Sequence, residues 1–117
     1  MNELATITST STDEALTITI DGEVDMSNAA DIEEEIRERA DGAALVVLDL
    51  SGVSFFDSSG IRMLFGVRQQ LRGVGTAMAV VAPEGSRVSE VLDVARVDNA
   101  APVFRSQRSA VAAMGAG

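Results

Sequence analysis

Cysteine, histidine, lysine, tryptophan and tyrosine are all absent from this chain of 117 residues. Without cysteine there is no disulfide, no thiol nucleophile and no thiolate metal site. Without histidine the commonest general base and the commonest transition-metal ligand are gone. Without lysine, Schiff-base chemistry and phosphate binding by a P-loop lysine are excluded. Aromatics make up only 3%, all phenylalanine, so the core must come from Val, Leu, Ile, Ala, Met and four Phe. Positive charge is scarce as well: nine arginines stand against 18 acids, for a net charge of −9. Nucleic acid and anionic membrane are therefore poor partners. No apolar run approaches the ~20 residues of a membrane span, and Met1 does not open a basic-then-apolar signal segment. The expectation is one cytoplasmic domain over residues 1–117.

What is present is ordered apolar patterning. Residues 3–12 (ELATITSTST) are rich in Thr and Ser with weak alternation, which predicts an edge strand. Asp13-Glu14 reads as a turn. Leu16, Ile18 and Ile20 then alternate with Thr17 and Thr19, the pattern of a half-buried strand that closes a hairpin. The chain is expected to leave the sheet through Asp21-Gly22-Glu23-Val24-Asp25. If extended, Asp21, Glu23 and Asp25 share one side. A divalent-cation site is one reading of these acids and a solvated bend the other; the missing histidine and the glycine within the run favour the bend. Ser27 or Asn28 can cap a first helix to about Ala40, with Ala29, Ile32, Ile36 and Ala40 as its apolar stripe. Glu33–Arg37 and Glu35–Arg39 are i,i+4 pairs on its polar face.

The stretch from Ala44 to Gln70 organises the rest. Leu45 to Leu50 is nearly unbroken in aliphatic residues, interrupted only by Asp49, and reads as a strand buried on both faces. Ser51 to Ser59 is expected to bring the chain out of the sheet through Gly52. From Ile61 the residues Ile61, Leu64, Phe65, Val67 and Leu71 recur at helical spacing. Asp57, Ser58 and Ser59 thus sit where a central strand hands over to a helix, a place of free N–H groups and partial positive charge. Such residues can be no more than caps. Gly73 and Gly75 stop this helix. Ala77–Ala82 is a second buried strand, and Ser86 starts a third helix with Val88, Val91, Leu92 and Ala95 inward. Pro102–Phe104 is a short final strand, Ser106 caps a last helix carrying Ala110, Val111 and Met114, and Gly115–Gly117 is expected to fray. The fold class is α/β (α+β), with a mixed sheet of four to five strands and about four helices. The two buried strands should be parallel, through a right-handed crossover.

The run LDLSGVSFFDSSGI resembles the signature of the STAS domain of bacterial anti-sigma-factor antagonists, and Gly22-Glu23-Val24-Asp25 is similar to that family's upstream GE-hydrophobic-D motif. The likeness covers nearly the whole chain and weakens after Pro83. In the family, the third helix commonly ends in a small residue, Gly and Leu; here Ala95-Arg96-Val97 stands there. The family often has Gly where this chain has Arg62. A response-regulator receiver, of similar size, is disfavoured because its pattern includes a lysine.

The resemblance implies a protein that is switched by modification and is not itself an enzyme. Unmodified, it binds an anti-sigma factor that is also a serine kinase, and a sigma factor is released. The kinase phosphorylates the serine after the motif's Asp, here Ser58, and a serine phosphatase restores it. Asp25, Ser27, Asp57, Ser58, Ser59, Gly60 and Arg62 would form the partner surface. No cofactor or metal is implied, and the free protein is expected to be a monomer. The alternatives are a STAS scaffold or ligand-sensing subunit that is never phosphorylated. Catalysis by Asp25 and Asp57 as a carboxylate pair is disfavoured, because so small a domain offers no evident substrate cleft.

Overall fold

In the computed structural model, which describes residues 4–114, five strands form one mixed sheet in the order β1-β2-β3-β4-β5. Strand β1 (Ala5–Ser11) pairs antiparallel with β2 (Leu16–Val24), and β3 (Leu45–Phe56), β4 (Ala77–Val81) and β5 (Val103–Phe104) continue in parallel. The helices are α1 (Ala29–Arg39), α2 (Ser58–Gly73), α3 (Arg87–Val94) and α4 (Gln107–Met114), with a single 3₁₀ turn at Val97–Asn99. The expectations for Glu3 and for Gly115–Gly117 lie outside the described residues.

Alternation along the strands separates two cores. Ile18, Ile20, Val46, Leu48, Leu50, Met78 and Val80 form one face and pack under Ile32 and Ile36 of α1, Leu64 and Val67 of α2, and Leu92 of α3. Each such side chain contributes about 1.5–3 kcal/mol by leaving water. The opposite face is smaller: Leu45, Val47, Ala79 and Val81 are covered by Ala110 and Val111 of α4. Asp49 points to that face and is only 6% exposed. Its carboxylate is satisfied by the Ser51 N–H at 2.9 Å, the Ser51 hydroxyl and the Gln107 side-chain amide, so α4 is held to the central strand by a polar contact as well.

Two boundaries differ from the sequence reading, for one reason. The segment 21–24 does not leave the sheet, and neither does 51–56: Asp21 pairs with Gly52, Gly22 with Val53, Glu23 with Phe55 and Val24 with Phe56. Register shifts between Thr19 and Asp21 and between Gly22 and Glu23 let β3 carry extra residues while pairing continues. The Ser54 hydroxyl donates to Gly22 O at 3.3 Å beside the second shift.

Helix α2 corrects another assignment. Its buried stripe is Gly60, Met63, Leu64, Val67 and Leu71, while Phe65 is 40% exposed. On α1 the Glu35–Arg39 pair forms at 2.8 Å, and Arg39 also donates to Ser9 Oγ on β1. Among the described residues the expected Glu33–Arg37 pair does not form; instead the Glu33 carboxylate lies over Gly66 of α2. Helix α3 ends at Ala95, and Arg96 follows at φ 57°, in the left-handed region. A residue other than glycine costs about 1–2 kcal/mol there.

Candidate functional site

The site is built by the register of β2 and β3. Val24 and Phe56 are paired on adjacent parallel strands, so Asp25 and Asp57 are the next residues out of the sheet, side by side at its C-terminal edge. In parallel sheets this edge is where ligands and partners gather, because loops converge there on helix N-termini.

Each acid orders its own loop. Asp25 accepts from the Ser27 hydroxyl at 2.6 Å and the Ser27 N–H at 2.8 Å through one oxygen. These bonds, the hydroxyl's first, hold its carboxyl below the ordinary carboxylate value against an opposing effect of burial, and the Asn28 backbone adds to the lowering. What these bonds add to stability is therefore fully present above about pH 3.9 and is lost as the pH falls through the lowered folded value. Asn28 is the residue before α1, as expected, but does not cap it. Its side chain turns back instead, accepting from the Asp25 N–H at 2.9 Å and donating to Glu23 O at 2.8 Å. With 1% exposure it is the buried pin of the Glu23–Asp25 turn. Among the described residues, no three acids converge in a cluster that could hold a metal ion.

Asp57 is the N-cap of α2 and accepts from the Ser59 N–H at 2.8 Å. Ser58 is thereby free of capping duty. It is the first residue of the helix and is exposed, and its hydroxyl makes no hydrogen bond to another described residue. Ser59 is half-buried beneath it. Gly60 is buried: a Cβ there would sit 2.6 Å from the Phe56 ring. Its place in the site is to let α2 close on Phe56. Gly60→Ala should cost about 1–3 kcal/mol by overpacking. Thermal unfolding should show a lower Tm with the circular dichroism of the folded state retained.

The wall beside Ser58 was not read from the sequence. Ser58 and Ile61 of α2 face Glu90, Val91, Val94 and Ala95 of α3 across an open groove of about 410 Å³. Val94 is 85% exposed, and so is Met26 in the Asp25 loop. Of these two, Val94 lines the groove, and it is exposed apolar surface gathered in such a groove, not a lone side chain, that marks an interaction site. A signal for Val94 did exist: it is a valine outside the stripe Val88, Val91, Leu92 and Ala95 read as inward, of which Val88 and Leu92 are buried while Val91 and Ala95 are only half-buried, at the groove. Arg62 is exposed on α2, as its spacing predicts, one residue past Ile61.

A family model for the STAS domain matches residues 6–110. The chain belongs to the STAS domain family. Among curated relatives, BtrV of Bordetella bronchiseptica, described as a candidate anti-sigma factor antagonist, is 33% identical over 95 residues. That match covers 80% of this chain and 81% of BtrV. Osmosensory protein A of Mycobacterium tuberculosis is 38% identical over 68 residues, covering 58% of this chain; the matched part is 43% of that protein's own length. The crystal structure of an anti-sigma factor antagonist from Mycobacterium paratuberculosis superposes with a TM-score of 0.83 at 27% identity, covering 94% of this chain and 93% of the other. This STAS domain has the mixed five-stranded sheet and four helices expected from its sequence. No helix among the described residues is long and apolar enough to cross a membrane.

Proposed function

We propose that this STAS protein is an anti-sigma factor antagonist whose binding to an anti-sigma serine kinase is switched off by phosphorylation of Ser58. The observation that carries this reading is an exposed serine whose hydroxyl has no hydrogen-bond partner among the described residues, at the first position of α2, beside an apolar groove. The kinase would supply ATP and Mg²⁺. The Ser58 oxygen forms a bond to the γ-phosphorus, the bond to the β-phosphate oxygen breaks, ADP leaves, and the hydroxyl proton passes to a base on the kinase. A serine phosphatase would reverse the change by hydrolysis.

Phosphate adds about −1.5 to −2 charge at neutral pH. The helix N-terminus accommodates it, so the fold survives. The interface does not: Asp57 adjoins Ser58, Asp25 leaves the neighbouring strand, and Glu90 shares the groove. A dianion desolvated among these acids has no compensating partner. One modification thus breaks binding without unfolding the domain.

The test is phosphate transfer. Incubated with the purified kinase and ATP, the protein should gain one phosphate, located at Ser58 by peptide mass spectrometry, and should then dissociate. A protein that stays unmodified while bound would favour the scaffold reading. Arg62 is expected to tune the same contact. Arg62→Gly should weaken the cognate complex by about tenfold, the worth of one charge-assisted contact, while Tm falls only by the few degrees that a glycine within α2 takes from the helix. Equal affinity of the two proteins would mark Arg62 as an ordinary surface arginine.

A further inference from the structure

Arg96 is the only residue other than glycine with a positive φ among the described residues, at 57°. Its backbone N–H donates to Asp93 O at 3.1 Å, so the left-handed turn is how α3 ends. Closing the helix this way does not need an arginine side chain. That side chain is 71% exposed; its nearest acid, Asp98, is 4.0 Å away and 64% exposed, a pair of little worth to the fold. A cation at a helix C-terminus is favourable, but the effect at an exposed position is modest. The backbone strain is therefore carried for a side chain that the fold hardly uses, a pattern that points to function.

Its position says which function. Ala95, the residue before, is part of the groove beside Ser58. On the other wall Ile61 is followed by exposed Arg62. On each wall a lining residue is thus followed in sequence by an exposed arginine, on a chain whose net charge is −9. Glu90 lies on the α3 wall about 9 Å before Arg96 along the helix. Between Ser58 and Glu90 the groove is lined by the aliphatic Ile61, Val91, Val94 and Ala95. Val94, two residues before Arg96, is 85% exposed on the groove's α3 wall, and arginine is among the residues enriched in protein interfaces.

We propose that Arg96 is a specificity-determining contact of this antagonist: it pairs with a carboxylate that flanks an aliphatic side chain of the kinase, seated between Ile61, Val91 and Val94. The inference rests on the function proposed above. It makes the choice of kinase depend on a residue outside both signature motifs. A kinase with a neutral or basic residue at that flank is refused, because Arg96 would lose water and gain no partner.

The test uses the purified kinase and four forms of the full chain. Ser58→Asp, which reports on the switch, should bind poorly. Arg96→Gly should raise Tm by a few degrees, since glycine adopts this turn without strain, and yet bind the kinase about tenfold more weakly. Arg96→Lys should keep the charge and retain most of the affinity. Raising the salt should weaken the wild type more than Arg96→Gly. If Arg96→Gly binds like wild type while Ser58→Asp does not, Arg96 is not a contact and the proposal fails alone. If Ser58→Asp also binds like wild type, the switch reading beneath it fails.

Discussion

Ser58→Asp should stay folded and lose at least about 100-fold in affinity for the anti-sigma kinase, while Ser58→Ala should bind and remain bound. The first figure follows from the several kcal/mol needed to bury an uncompensated charge. The added carboxylate stands at the start of α2, where the dipole tolerates it, but beside Asp57, which repels it. Its single charge imitates phosphate only partly, so true phosphorylation should act more strongly. Ser58→Ala leaves the cap intact, because Asp57 and not Ser58 accepts the capping bond from Ser59. Its stability should lie within about 0.5 kcal/mol of wild type. In cells it should behave as a permanently active antagonist. Ser59→Ala is the control, and phosphate uptake at Ser58 should persist in it. Affinity, circular dichroism and phosphate transfer from labelled ATP check all three variants. A Ser58→Ala protein that still accepts phosphate would move the site elsewhere. Equal binding by the Ala and Asp variants would leave the domain as a passive scaffold.

Gly22→Ala should be the most damaging methyl group that can be added near the site. Gly22 has φ 115°, where an L side chain is strained, and the new Cβ would lie 2.2 Å from Leu4 O and 2.9 Å from Ala5 Cα. Both obstacles are backbone, so no side chain can swing away. Strain and overpacking together should cost about 2–5 kcal/mol, a fall of roughly 10–20 °C in Tm. The edge strand must retreat, which threatens the bond from the Glu23 N–H to Leu4 O at 2.9 Å. Gly42→Ala is the comparison: it also has positive φ, at 83°, but nothing lies within 4 Å of its Cβ. Its loss should therefore be smaller, and similar losses in the two variants would show that collision with β1 contributes little.

Much of this was legible in the sequence because local pattern and global fold agree. Ile18, Ile20, Val46, Val47 and Leu48 are 0% exposed, as their alternation and aliphatic run require. The Asp57 cap and the exposed Ser58 follow from a polar cluster placed between a strand and a helical stripe. The misread positions share a cause: tertiary partners that a single segment does not reveal. Gly52 reads as an exit because glycine is a turn residue, but backbone pairing with Asp21 keeps it in β3. Phe65 reads as core because it falls at helical spacing with Ile61 and Leu64, yet the buried stripe runs through Met63, Leu64 and Val67 and leaves Phe65 40% exposed at its edge. Asn28 reads as a cap because asparagine usually is one; buried carbonyl and amide groups of the preceding turn claim its side chain first. The α3 wall of the groove depends on packing between elements far apart in sequence.

The paired register of β2 and β3 also limits how this sequence can change in length. Between the pairs Ile18–Leu48 and Val24–Phe56, β3 carries two more residues than β2. Both are absorbed at the register shifts, which return Val53 and Phe56 to the buried side. Deleting one residue between Asp49 and Phe55 would turn that remainder from two to one: one register shift would close, the other would remain, and Val24 would still meet Phe56. The strand should therefore accept the loss of one residue, or of two, at the expense of the bend each shift gives. A third loss would find no shift left to close and would carry Asp57 out of step with Asp25, unless β2 lost a residue as well.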